Sequence, residues 1–195
     1  MKLKKILAAG LIVTMALSFA ACSKNNNENN NDNNKNTEAG TEQEQQVNVK
    51  LTDIRDAVKE AFGENYIPNM EYDDAFITDT LGLTADDYDE IVAEGPLVSF
   101  HIDTFIAVKA KSGKADVVEE RLNSYRDYLI NDSMMYPVNA VKIQASQVVR
   151  HGDYVFFVSL GVIDMETQEQ GDDAILALAK EKTKLAVDTI DSFFK

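Results

Sequence analysis

Apolar residues recur along the second three quarters of the chain with two periods, and the switches between them mark the elements. Ile54, Ala57, Val58, Ala61 and Phe62 follow helical spacing, which predicts a helix from a Thr52 N-cap to Gly63. Pro68 interrupts the chain, and DDAFITDTLG predicts a short helix from Asp73 closed by Gly82, followed by one more helical turn over Thr84 to Tyr88. A short strand is expected over Glu90 to Glu94, turned at Gly95-Pro96. From Leu97 to Lys109 the period becomes two. Val98, Phe100, Ile102, Ile106 and Val108 point one way, and Ser99, His101, Asp103, Phe105 and Ala107 the other. A helix from about Lys114 to Met134 carries Val118, Leu122, Tyr125 and Leu129 on its apolar face and stops before Pro137.

The clearest local signal is VKIQASQVVRHGDYVFFVSLGVI, two strands around Gly152-Asp153, a glycine-first pair suited to a type II′ turn. That turn sets a register. His151 faces Tyr154, Val149 faces Phe156, Gln147 faces Val158, Ala145 faces Leu160 and Ile143 faces Val162 on the side assigned to the core. Arg150 with Val155, Val148 with Phe157, Ser146 with Ser159 and Gln144 with Gly161 form the other side. A last helix is expected from about Asp172 to Phe194, with Ile175, Leu178, Ala179, Leu185, Ala186, Ile190 and Phe193 on its apolar face. Hairpins separated by helices imply an α+β fold, an antiparallel sheet of about four strands with helices packed mainly on one face, and residues 51–195 suffice for a single domain.

The first fifty residues follow another logic. Lys2, Lys4 and Lys5 precede an uncharged run of 16 residues, Ile6 to Ala21. A basic head, an apolar core shorter than the roughly 20 residues of a membrane span, and small residues at the end are the layout of a secretory signal peptide. Ala20, Ala21 and Cys22, the sole cysteine, resemble the lipobox of bacterial lipoproteins. That resemblance implies a signal peptide over residues 1–21, a diacylglyceryl group on Cys22, and a protein held at the extracytoplasmic face of the cell membrane. Residues 22–50 then read as the lipidated cysteine and a disordered tether, with nine asparagines between Asn25 and Asn36. As a flexible coil the tether would span about 30 Å on average, and about 90 Å pulled straight.

Charge narrows the partners. The chain carries 19 basic and 33 acidic residues, a net charge of −14, and loss of the three leader lysines takes this to −17. Such a surface repels phosphate backbones and anionic lipid, so nucleic acid is excluded as a partner and membrane attachment falls to the lipid alone.

A second resemblance concerns the domain itself. The strand LVSFHIDTFIAVKAKSGKAD leading into VVEERL, the link from Tyr125 to Pro137, and the hairpin VVRHGDYVFFVS are similar to domain of unknown function 4358, found in lipoproteins of low-GC Gram-positive bacteria. The resemblance spans about Tyr88 to Ile163. It implies location and fold and carries no activity.

Candidate chemistry is sparse. Ser99, His101 and Asp103 share one strand face, but alternate strand residues sit about 6.6 Å apart with parallel side chains, and no nucleophile elbow accompanies them. A solvated strand face is the simpler reading. His101 and His151, the only histidines, fall on opposite faces in this register, so no zinc site and no cofactor are expected. Asp86, Asp87, Asp89 and Glu90 offer oxygen ligands for calcium without EF-hand spacing, and a solvated acidic loop is the simpler reading. The outer sheet face is less ordinary. Phe105, Phe157, Val148 and Val155 are expected there beside His101, Asp103 and Arg150, a mixture suited to a binding surface unless the segment from Tyr66 to Leu83 covers it. The function expected from these features is a non-enzymatic, membrane-anchored binding or interaction module with a protein or small-molecule partner. The alternative is a small hydrolase acting on envelope material, which would require His101 and several acids to meet in a deep pocket.

Overall fold

The computed structural model describes residues 48–98, 100–131 and 133–195. The leader, Cys22, the tether up to residue 47, and Ser99 lie outside the described residues.

Helix α1, Leu51–Phe62, forms on the predicted stripe and buries Leu51, Ile54, Val58 and Phe62, while Ala61 stays exposed. A two-residue strand β1, Met70–Glu71, leads to a π-helical turn over Phe76–Thr80, started by the Asp73 carboxylate accepting from the Phe76 N–H. Strand β2, Tyr88–Gly95, is longer than its sequence signal, and β3 begins only at Thr104 and ends at Ala110. The alternation read over residues 97–103 therefore belongs to a loop in which Leu97, Val98 and Phe100 stand exposed. Helix α2, Ala115–Asn131, follows.

The next segment departs most from expectation. Residues 137–145, of which 141–145 were expected to begin a strand, form helix α3, Pro137–Lys142, and a 3-10 turn over Ile143–Ala145. Pro137 is the physical reason. Its fixed φ and missing N–H suit the first turn of a helix, so the residue that stops α2 also starts α3. Strand β4, Gln147–His151, and strand β5, Tyr154–Ser159, then pair as predicted, from His151 with Tyr154 to Gln147 with Val158. The four pairs expected beyond Gln147 do not form, because that arm is already helical. A short α4, Met165–Glu169, capped by the Asp164 carboxylate, was not anticipated; α5, Asp172–Asp191, with a 3-10 turn to Phe194, was.

The five strands make one antiparallel sheet in the order β1-β2-β3-β5-β4, and the fold is α+β as expected. The layering differs: helices cover both faces. Phe105, Ala107, Tyr154, Phe156 and Val158 pack with α1 and α5 through Leu51, Ile54, Val58, Ala186 and Ile190. On the opposite face Ile106, Val108, Val155 and Phe157 pack under α2 through Val118, Leu122 and Tyr125, joined by Ile77, Leu81 and Leu83. A strand buried on both faces reads as a continuous apolar run, and Tyr154–Ser159 is buried at every position. That run, YVFFVS, was the sign of a two-sided sheet.

Two glycines hold backbone that other residues resist. Gly152 opens the β4–β5 turn at φ +59° with open space around it, so a side chain there meets only the left-handed penalty. Gly161 sits at φ +111°, and a Cβ would lie 2.5 Å from the Lys182 Cβ of α5. Gly152→Ala should therefore destabilise the domain by about 1–2 kcal/mol. Gly161→Ala should do so by about 2–4 kcal/mol, because α5 must also move. Urea melts of the two variants should rank in that order, and equal midpoints would mean that α5 does not press on Gly161.

Candidate functional site

The sheet has two distinct ends. At the hairpin end Lys109 pairs with Tyr154, and the described chain begins there: Lys109 Nζ donates to Asn48 Oδ1 at 2.8 Å, and the Tyr154 hydroxyl meets the Val49 backbone. At the opposite end Thr104 pairs with Ser159, and three non-strand segments converge: the loop before β3, helix α3, and the chain leaving β5.

A buried ion pair ties those segments together. Asp103 is wholly buried, and its Oδ2 accepts from Lys142 Nζ at 2.6 Å, while its Oδ1 accepts from the Gly161 N–H at 2.7 Å. Lys142, from the last turn of α3, is only 4% exposed. Burial pushes its ammonium down from the usual lysine range, and the Asp103 charge pulls it back up. His101 flanks the pair, with Nδ1 3.8 Å from Asp103 Oδ2 and its ring stacked loosely on Phe100. Asn139, 6% exposed, donates from Nδ2 to the Phe100 carbonyl at 2.6 Å and so pins the loop to α3.

Above this pair opens a cleft of about 650 Å³. Phe100, Tyr136, Val138 and Ile163 supply apolar wall, and His101, Asn139, Lys142 and Gln168 supply polar groups. Gln168 Nε2 donates to the Ile163 carbonyl at 2.9 Å. The carbonyl oxygens of Asn139 and Gln168 have no hydrogen-bond partner among the described residues. Of the nine large apolar side chains that stand exposed among the described residues, Phe100 and Tyr136 line this cleft.

The expected surface residues are distributed otherwise. Phe105 and Phe157 are both fully buried and lie on opposite faces of the sheet, since Phe105 pairs with Val158 and Ile106 with Phe157. Val148 and Val155 share the Phe157 face beneath α2. The error is a one-residue offset between β3 and the hairpin, which exchanges every side chain between faces. No tight turn joins β3 to β5, so nothing local specifies their register. Arg150 does not border the cleft; its guanidinium donates to Asp116 at 2.5 Å and Glu119 at 3.0 Å on α2. His101 and Asp103 do reach one site, but in a loop and not on a solvated strand face.

His101 and His151 lie at opposite ends of the sheet, His151 Nε2 resting 2.9 Å from Asp191 Oδ1. In the acidic loop Asp87 is committed to structure. It accepts from the Thr84 N–H at 3.0 Å, the Thr84 hydroxyl at 2.8 Å and Lys114 at 3.1 Å, and the Thr84 bonds chiefly hold its carboxyl below the usual range. Sequence reasoning missed Lys142, Asn139 and Gln168. Tyr136-Pro137, a helix-starting dipeptide, was the signal that could have placed the first two on one helical face.

Removing one partner of the buried pair should reveal it. Lys142→Met leaves Asp103 as an unpaired buried charge and should destabilise by about 3–5 kcal/mol. Changing Asp103 to Leu in the same chain should recover a large part, short of about 1–3 kcal/mol for the orphaned Gly161 N–H. Urea denaturation of the single and double variants measures the coupling, and a double variant no more stable than the single one would show that none exists.

Residues 61–160 match the family described as Domain of unknown function (DUF4358), and the chain belongs to that family. The matched segment holds the sheet, α2, α3, and the Asp103–Lys142 pair; Gly161, Ile163, Gln168 and α5 lie beyond it. No curated protein and no solved structure matches the chain.

Proposed function

We propose that this member of a family of unknown function is a lipid-anchored, extracytoplasmic binding module whose ligand enters the cleft between the loop at residues 97–101, α3 and the segment at residues 162–168. The observation that carries the reading is a cleft lined by the exposed rings of Phe100 and Tyr136 that also presents unpartnered polar groups. Its volume lies within the range of about 300–1,000 Å³ common for small-molecule clefts. The anchor reading rests on the basic head, the uncharged run and Ala-Ala-Cys at residues 20–22. The cleft opens at the sheet end opposite Asn48, about 17 Å away along the five residue steps of β3 from Thr104 to Lys109.

Binding is favoured over hydrolysis by the state of the charged groups. Among the described residues His101 meets one acid, not several, and both oxygens of that acid are already held by Lys142 and Gly161. A carboxylate so engaged and wholly buried serves to fix geometry.

Cys22→Ala should abolish palmitate incorporation and leave an uncleaved or miscut precursor; equal labelling of variant and wild type in growing cells would reject the anchor. The cleft has a separate test. A photo-crosslinking amino acid placed at Tyr136, on the cleft rim, should give adducts in intact cells that the same group at Tyr128, an exposed position on α2, does not. Identical adducts from both positions would show that the cleft has no preference of its own.

A further inference from the structure

Resting on that reading of the cleft, we infer that its ligand is an uncharged carbohydrate, with a sugar ring laid against Phe100 and Tyr136 and its hydroxyls bonded to Asn139 and Gln168. The first argument is charge. The one lysine in the cleft is neutralised by Asp103 at 2.6 Å, so the pair adds no net charge to the lining. The whole chain is strongly acidic, at −14 with its leader, and repels anions on approach. An anionic ligand would meet an opposing field and find no free cation.

The second argument is hydrogen bonding. Asn139 is more than nine-tenths buried, yet its carbonyl oxygen has no partner among the described residues, and the carbonyl of the half-buried Gln168 has none either. Each amide nitrogen donates one bond, to the Phe100 and Ile163 carbonyls, which orients the amide and leaves its oxygen to accept. Lys142 donates one of its three N–H bonds to Asp103, and His101 has a second ring nitrogen beyond the one facing Asp103. The cleft therefore asks its ligand both to donate and to accept. An alkyl chain would bury those groups without partners, a loss for each. Hydroxyls do both, and adjacent hydroxyls on a ring offer them in pairs.

The third argument is shape. The walls are aromatic and aliphatic side chains on a helix and two loops, with no free strand edge for an extended peptide to extend. A pyranose has an apolar C–H face and a polar rim, which matches a lining of aromatic rings and amide oxygens.

The probes are uncharged tetrasaccharides: cellotetraose, maltotetraose and the N-acetylglucosamine tetramer, titrated calorimetrically into the full chain in a sugar-free zwitterionic detergent. Saturable binding of at least one is expected, weakened about tenfold by Phe100→Ala and by Gln168→Ala and unaltered by Tyr128→Ala, with all melting temperatures unchanged. No binding at about 10 mM sugar, where even a millimolar site is nearly full, overturns the inference. So does equal affinity in Phe100→Ala, or tighter binding of decanoate than of any sugar. If the sugars fail while the Tyr136 crosslinker still yields its own adducts, the cleft remains a binding site and only the carbohydrate assignment falls.

Discussion

The Asp103–Lys142 pair, with the Gly161 N–H as its third member, is the constraint on which the working end of this domain depends. It joins three stretches distant in sequence: the loop before β3, the end of α3 and the chain leaving β5. A wholly buried carboxylate is tolerable only when its oxygens are satisfied, and here each has a short bond. The pair adds little net stability over an apolar packing of equal volume. Its consequence is geometric. With Asp103 drawn inward, the preceding residues turn outward, and Phe100 and His101 become the rim of a cleft. The Asn139 amide, reaching the Phe100 carbonyl, holds that loop against α3.

The same pair sets the electrostatic character of the floor. Lysine and aspartate cancel, so polarity in the cleft comes from amides and an imidazole, and recognition is by hydrogen bonds and apolar contact. Behind the floor, the position of α5 rests on Gly161, whose missing side chain leaves room for Lys182. Binding geometry and core packing thus share one residue. The two-sided burial of β5 extends the argument to the rest of the fold, because α1 and α5 on one face and α2 on the other cover the central strands β3 and β5.

How far this could be read in advance depended on whether the deciding interaction was local. The β4–β5 register was legible because Gly152-Asp153 specifies both turn and offset, and all five observed pairs follow from it. The faces of β3 were not legible. The connection from β3 to β5 passes through two helices, and an offset of one residue moved Phe105 from an expected exposed surface into the α1–α5 core. Half of the candidate site was visible as residues, His101 and Asp103, but with the wrong environment, since alternation through residues 97–103 imitates a strand and the loop's true conformation is imposed by Asp103 reaching Lys142 from elsewhere.

Local chemistry in the sequence by itself determined the helical stripes, the tight hairpin, the antiparallel α+β class and the acidic balance of the surface. These follow from side-chain periodicity, from the φ that glycine and proline permit, and from counting charges, none of which needs a distant partner. Tertiary structure alone decided which helices cover each sheet face, that Lys142 is buried against Asp103, and that Asn139 and Gln168 line one cleft with His101. Those outcomes depend on which groups meet across long stretches of chain, where burial of a single charge can outweigh the local preference of several residues.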